Sequence, residues 1–469
     1  MRYLPLYTRL FALIFIIISL FVPYNATGQQ RVAVWLSSAD SSVLLRHATT
    51  VKMTSTSSPA SGEVILIDPA NTCQVMDGVG AALTWSSAYV LKNNLKPTAR
   101  KRLLKELFTP EGIGINYLRL TIGSSDFSNG NHSYSEYPDS SLSNFSLAMD
   151  MGEVIPVLKE ILQVNPGIKI MASPWSPPGW MKTGGDMVGG SLKPECYDIF
   201  ADYLIKYVRT MADLGITVDA ITVQNEPEYG TAAYPCMFMT AAEQKIFVRD
   251  HLGPEMQKAG CSFKIILFDH NCDSPHYPIS ILDDPEAKKY ADGSGFHLYK
   301  GEISALCTVH EAHPDRNIYF TEQSGGGWAP DFGGNLRWFA GNLIIGATRC
   351  WSKNVLFWNL ALDEHDGPTN NGCKDCWGVV KVSTSGKIKR NAEYYALGHY
   401  GKFVKAGAKR VATHQDKVLN SAFINPDGSM VLIAMNTSED TREITVITGG
   451  KNLKYTLLPG MLASFVISF

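Results

Sequence analysis

The chain has 469 residues, of which 45% are hydrophobic and 18% charged, and its formal net charge is −2. That composition supports a large core and leaves room for one large domain plus a smaller one. The balanced charge shows no basic stripe for a nucleic acid and no acidic block of the kind that stays a solvated tail.

Residues 1–28 read as a cleaved export signal. Arg2 and Arg9 precede an apolar run over 10–22, and the small Ala26 and Gly28 suit the positions before a cut. The run is shorter than the ~20 apolar residues that span a bilayer, so no stable membrane insertion is expected. The expected destination is secretion, the periplasm or the cell surface.

Residues 29–72 read as the first part of a β-rich unit, with RVAVWL (31–36) and EVILI (63–67) flanking a Ser/Thr/Pro/Gly loop at 54–62. From 73 to 402 short apolar runs alternate with helical stretches. Strands are predicted at 75–81, 117–121, 169–173, 220–224, 264–268, 295–297, 317–321 and 355–358. Helices fall between them, among others at 98–107, 151–163, 197–214 and 241–256. The class is α/β, and eight such units in roughly 330 residues fit a TIM (β/α)8 barrel. A doubly wound open sheet competes, but no glycine-rich phosphate fingerprint follows the first strand. Residues 403–469 return to strands at 418–424, 430–435, 442–447 and 463–469, with turn signals at NPDG (425–428) and Gly449-Gly450. The two β-rich ends are expected to build one side sandwich.

The nine cysteines are odd in number, so at least one stays unpaired within the chain. Cys373 and Cys376 form a single C-x-x-C, and no second Cys or His pair completes a zinc site. A disulfide pinning a local loop is the expectation, and no metal is.

Two glutamates carry the chemistry. Glu226 follows the fourth strand in ITVQNEPEYG (221–230), and Glu322 follows the seventh in NIYFTEQSGGGW (317–328). In a TIM barrel both point into the mouth where active sites lie. Either one alone reads as a solvated loop residue. A pair converging on one sugar ring supplies the proton and the anomeric support that glycosidic hydrolysis needs.

Neighbouring residues fill in the site. Asn225 is placed for a sugar 2-hydroxyl, and Pro227 fixes the turn after Glu226. Prolines stiffen the loop ASPWSPPGWMKTGG (172–185), which presents Trp175 and Trp180; ring faces suit sugar C–H faces, and a core position is the alternative for both. Asp126 can accept from two adjacent hydroxyls. Arg119 supports the carboxylate layer from within its strand. Tyr299 is expected to hydrogen-bond the nucleophile, whereas His297 is either a substrate contact or a satisfied core histidine. Trp358 is placed to floor the sugar site, and Trp328 with the glycines at 325–327 to shape its rim. Asp363 and Glu364 are rival carboxylates further beyond their strand end.

The runs SPWSPPGWMK, QNEPE, FTEQSG and FWNLALDE, in this order and spacing, resemble glycoside hydrolase family 30, the glucosylceramidase-like family. The resemblance extends over nearly all the mature chain, including YYALGHYGKFVKAGAKRV (394–411). It implies a retaining mechanism on a β-linked sugar without a cofactor, with Glu226 as acid/base and Glu322 as nucleophile. It further implies Asp126, Trp175, Asn225 and Trp358 in the terminal subsite and Tyr299 beside the nucleophile. Retention requires carboxyl groups ~5–5.5 Å apart. It also requires a proton on Glu226, whose pKa the Glu322 charge and partial burial are expected to raise.

Members of the family cleave glucosylceramide, simple β-glucosides, β-1,6-glucans, β-xylosides or β-fucosides. In DGVGAALTWSS (77–87) Trp85 stands where many relatives carry an acidic residue, and GCKDCWGVV (372–380) resembles loops of microbial members. The expected substrate is therefore a β-linked glucan, cleaved by an endo-β-1,6-glucanase. The alternatives are an exo-acting glucosidase or glucosylceramidase, a β-xylosidase or β-fucosidase, a transglycosylase, and, in another class, a non-catalytic carbohydrate-binding protein.

Overall fold

The computed structural model describes residues 30–55 and 60–468. The expected signal segment, 1–28, lies outside the described residues, as do the tip of the Ser/Thr loop and Phe469.

Eight parallel strands close into a barrel in chain order: β1 (Gly78–Ala82), β2 (Tyr117–Ile122), β3 (Lys169–Pro174), β4 (Ala220–Thr222), β5 (Lys264–Cys272), β6 (Ala291–Gly301), β7 (Asn317–Glu322) and β8 (Ser352–Asn359). Each is buried on both faces, which is why each reads as an apolar run. Inside, Tyr117, Met171, Ala220, Ile266, Tyr319 and Leu356 pack as one cluster. Outside, the strands meet the helical shell in the main core.

Several boundaries differ from expectation: β6, predicted at 295–297, runs from Ala291 to Gly301, β4 stops two residues early at Thr222, and β8 starts three residues early at Ser352. The predicted strand 75–81 joins two elements: Val75 ends a long sandwich strand, Glu63–Val75, and β1 starts only at Gly78. Gly78 has φ +142°, and a Cβ there would lie 2.0 Å from Asn116 Oδ1, so the change of direction needs a glycine. β5 runs four residues past its predicted end, through Phe268 and Asp269, both with positive φ.

The side unit is one ten-stranded sheet folded on itself. Its order is Arg46–Lys52, Arg31–Ser37, Leu462–Ser468, Met430–Met435, Leu419–Ile424, Lys409–Thr413, Glu63–Val75, Arg442–Thr448, Lys451–Leu457 and Thr54–Ser55. Glu63–Val75 pairs antiparallel with Lys409–Thr413 and parallel with Arg442–Thr448, so it runs through both layers. Val34, Ile65, Leu432, Val446 and Phe465 fill the space between them. The first and last described strands pair directly, Arg31 opposite Ser468.

Helix Ala392–Gly401 joins barrel to sandwich through fully buried His399. Ser464 Oγ donates to the His399 carbonyl (2.8 Å), which leaves His399 Nδ1–H to donate back to Ser464 Oγ (2.8 Å). Nε2 then accepts from Ser37 Oγ (2.9 Å). Burial pushes this ring down to about 3, so it is neutral. Two disulfides form, Cys307–Cys350 and Cys373–Cys376, and Cys73, Cys196, Cys236, Cys261 and Cys272 are free. Among the described residues no helix is long and apolar enough to cross a membrane.

Candidate active site

The turn after β4 is pinned from two sides. Asn225 N–H donates to the Pro174 carbonyl (2.8 Å), and Glu226 N–H to the Asp269 carbonyl (3.0 Å). Glu226 sits at φ +47°, a left-handed conformation uncommon outside glycine, which those two bonds hold in place. On β5 the positive φ of Phe268 and Asp269 makes a bulge. Gln244 Oε1 accepts from the Phe268 N–H (2.9 Å), and the Asp269 side chain turns into the barrel.

Arg119, fully buried on β2, is the hub. Its guanidinium donates to Glu322 Oε2, to Asn225 Oδ1 (2.7 Å), to Asp269 Oδ2 (2.8 Å) and to Ser173 Oγ (3.1 Å). Tyr299 donates its hydroxyl to Glu322 Oε1 (2.9 Å). His297 bridges Glu226 Oε1 through Nδ1 (3.1 Å) and Asp269 Oδ1 through Nε2 (3.0 Å). Thr222 and Thr321 each donate to Asp269 at 2.6 Å. Oxygens of Glu226 and Glu322 and a nitrogen of His297 all lie within 4.8 Å of one another.

This wiring sets the charges. Burial alone would push the His297 ring down, but the Glu322 charge and the hydrogen bonds to Asp269 and Glu226 outweigh it and hold the ring at about 9. Burial would likewise raise Asp269, yet Arg119 and His297 keep it well below the usual carboxylate range. Burial raises Glu322 against the pull of His297 and Arg119. Glu226 goes the other way: against burial, the His297 hydrogen bond and charge hold it down. The expectation that burial and the Glu322 charge raise Glu226 is thus reversed in the free site. The cause is an imidazolium beside it that the sequence did not reveal.

The cavity at the barrel mouth, about 360 Å3, is lined by Glu226, Glu322, Asp126, Asn225, Trp175, Trp358 and Tyr299 among others. Trp175 and Trp358 stack on each other at 5.0 Å, with the Arg119 guanidinium 4.9 Å from the Trp175 ring centre. Asp126 Oδ1 has no partner among the described residues, and burial followed by the charges of Glu322 and Glu226 raises this carboxyl well above normal. The Cys373–Cys376 disulfide forms part of the same wall.

Six residues singled out in the sequence fall elsewhere. His297 is fully buried between carboxylates and does not line the cavity, so it is a charge bridge rather than a substrate contact. Trp328 is 54% exposed and lines an adjoining groove instead. Trp180 packs on the main core and donates to the Ser135 carbonyl (2.9 Å). Trp85 stacks on Tyr89. Both rival carboxylates lie outside the cavity: Asp363 accepts from the N–H groups of its own turn (2.9 Å each), and Glu364 accepts from Thr384.

Sequence reasoning missed Asp269 and His270, the latter 3.9 Å from Glu226 Oε1. The polar run Asp-His-Asn closing an apolar strand was the available signal. It also missed Glu228, Asp273 and Lys300 in the cavity wall. The Glu226, His297 and Glu322 trio has the spacing of a metal site. Its donor atoms already have partners in the chain, and Arg119 and a charged His297 oppose a cation there.

A closed parallel barrel with two carboxylates converging at its C-terminal mouth has the architecture of a glycosidase. Residues 76–404 match the glycosyl hydrolase family 30 TIM-barrel domain, and residues 407–461 match the family's β-sandwich domain. The chain belongs to glycoside hydrolase family 30, a family of retaining glycoside hydrolases. It is 35% identical over 392 residues to an endo-1,6-β-D-glucanase of Neurospora crassa, covering 80% of each chain. It is 30% identical over 429 residues to the lysosomal acid glucosylceramidase of Mus musculus, covering 85% of this chain and 82% of that one. A solved endo-β1,6-glucanase superposes with TM-score 0.87 at 33% identity, covering 93% of this chain and 98% of that one.

Proposed function

We propose that this protein is an exported endo-β-1,6-glucanase that cleaves a polysaccharide by double displacement. The observation that carries the mechanism is the approach of Glu226 and Glu322 oxygens to within 4.8 Å. That suits the ~5–5.5 Å spacing of retaining enzymes and leaves no place for the water that ~6.5–9.5 Å admits. Glu322 attacks the anomeric carbon, with Arg119 and Tyr299 holding its two oxygens. Glu226 gives a proton to the leaving oxygen, then takes one from the water that opens the glycosyl-enzyme. In the free site that proton rests on His297, 3.1 Å from Glu226 Oε1, and it crosses this bond as the leaving oxygen gains charge. Asp126 and Asn225 grip sugar hydroxyls above the Trp175 and Trp358 rings.

Beyond the two glutamates the cavity wall carries Glu228, Asp273, Ser274 and Lys300. Such a wall suits the hydroxyls of another sugar and disfavours the alkyl chains of a ceramide. The fungal relative and the solved neighbour support the β-1,6 linkage. Export rests on the sequence of residues 1–28.

The test is a digest of β-1,6-glucan by the mature protein, with products sized over time and Glu322→Gln as control. A ladder of oligosaccharides absent from the control is expected. Monosaccharide alone would make the enzyme exo-acting. No product, with turnover of an aryl β-glucoside or glucosylceramide, would replace the substrate reading.

A further inference from the structure

A second cavity, of about 570 Å3, adjoins the catalytic one, and Tyr299 stands in the wall of both. Trp328, Trp338 and Phe339 supply its apolar wall. A single exposed tryptophan needs no explanation. Here two line one groove, 54% and 37% exposed, beside a site that binds sugar.

Both rings stand on a braced frame. A turn closes from Ala329 N–H to the Gly326 carbonyl (3.1 Å), and a Cβ on Gly326 would lie 2.1 Å from the Trp328 ring, so a glycine is needed for the indole to lie against that backbone. Asn335 Nδ2 donates to the Ala329 carbonyl (2.5 Å), tying this loop to the helix Phe332–Trp338. Gln323, the residue after Glu322, is 94% buried (relative exposure 6%) and lines the same cavity. Its Nε2 donates to the Ser324 carbonyl (3.1 Å), while its Oε1 has no partner among the described residues. Apolar ring faces beside the polar side chains of Gln323, Asp331 and Asn335 match a pyranose, which offers C–H faces and hydroxyls together.

We infer that this groove is a further sugar subsite, holding another glucose unit of the same β-linked chain whose scissile unit lies between Glu226 and Glu322. The inference rests on the glucanase reading above. Continuity across Tyr299 supports it: that residue lines the groove, and its hydroxyl reaches Glu322.

The experiment compares wild type, Trp338→Ala and Ala329→Trp on β-1,6-linked glucose oligomers of increasing length. Ala329→Trp fills the groove without removing packing, so it remains informative if Trp338→Ala folds poorly. In both variants the loss of kcat/KM should grow with chain length, to about tenfold on the longest. A loss equal at every length, or no loss, overturns the subsite. If wild type cleaves a different β-glucan, the β-1,6 reading fails, and the same series on that glucan decides the groove. If wild type cleaves none, calorimetric titration of Glu322→Gln with oligomers of increasing length decides it: an affinity gain with length that disappears with Trp338→Ala supports the subsite, and a gain that persists, or no gain, overturns it.

Discussion

Replacing His297 with Asn tests the charge bridge. The ring is held at about 9, above the ~6.5 of an ordinary histidine, so its protonated form is favoured by about 3 kcal/mol in the fold. That contribution is fully present below pH ~6.5 and drains away as pH rises toward 9. Removing the ring also leaves Asp269 and Glu226 without a shared partner, and breaking such a buried ionic contact costs about 3–5 kcal/mol. The kinetic consequence has a definite sign. Glu226 must be protonated to act, so kcat/KM falls as pH rises past the pKa of the group that holds the proton. In wild type that group is the His297–Glu226 pair, and the alkaline limb should lie near 9. In the variant Glu226 holds the proton alone, without the imidazolium that shares it in wild type. The limb should therefore move down in pH, and kcat/KM at pH 8 should fall relative to wild type. The assay is kcat/KM against pH for both proteins, with circular dichroism to show that the variant is folded. A folded variant whose alkaline limb stays near 9 refutes the reasoning.

Three further outcomes are expected. Arg119→Lys should cut kcat by about a hundredfold or more and lower thermal stability by about 3–5 kcal/mol, because an ammonium cannot serve Glu322, Asp269, Asn225 and Ser173 at once; turnover and a melt check it. His399→Gln should be less stable than wild type at pH 7 yet lose less stability between pH 6.5 and 3. The neutral buried ring has a depressed pKa of about 3, so wild type is destabilised as the unfolded state takes up that proton, which chemical denaturation across pH would follow. Cys373→Ser with Cys376→Ser should raise KM several-fold with a smaller effect on kcat, since the bridge forms a wall of the sugar cavity and touches no reacting carboxylate; steady-state kinetics on oligosaccharides distinguishes the two.

The barrel was legible because strands covered on both faces must be apolar throughout, and runs such as KIILF in β5 leave little alternative. The two glutamates were legible because polar residues abruptly end those runs. Asp269 was hidden because the bulge that turns it inward uses Phe268 and Asp269 at positive φ, with no glycine to announce it. The role of His297 depends on four strands meeting at one point, which no local spacing encodes. Arg46–Lys52 went unread as a strand because it lies at the sheet edge with mostly exposed, polar side chains. Closeness to Glu322 in sequence points Trp328 to the catalytic rim. The fold turns the intervening glycines so that the ring faces the neighbouring groove.

The pairing of Arg31–Ser37 with Leu462–Ser468 carries a consequence for biosynthesis. A ribosome adds about 5–20 residues each second, so the first strand waits tens of seconds for its last neighbour to be made. Until then the inner face of the sandwich, with Val32 and Val34, is left without Phe465 and Ile467, and His399 without Ser464. The barrel cannot dock on a finished sandwich while the chain is still growing. A nascent or C-terminally shortened chain is therefore open to chaperones, proteases and aggregation, and loss of the last seven described residues should be felt in yield before it is felt in catalysis.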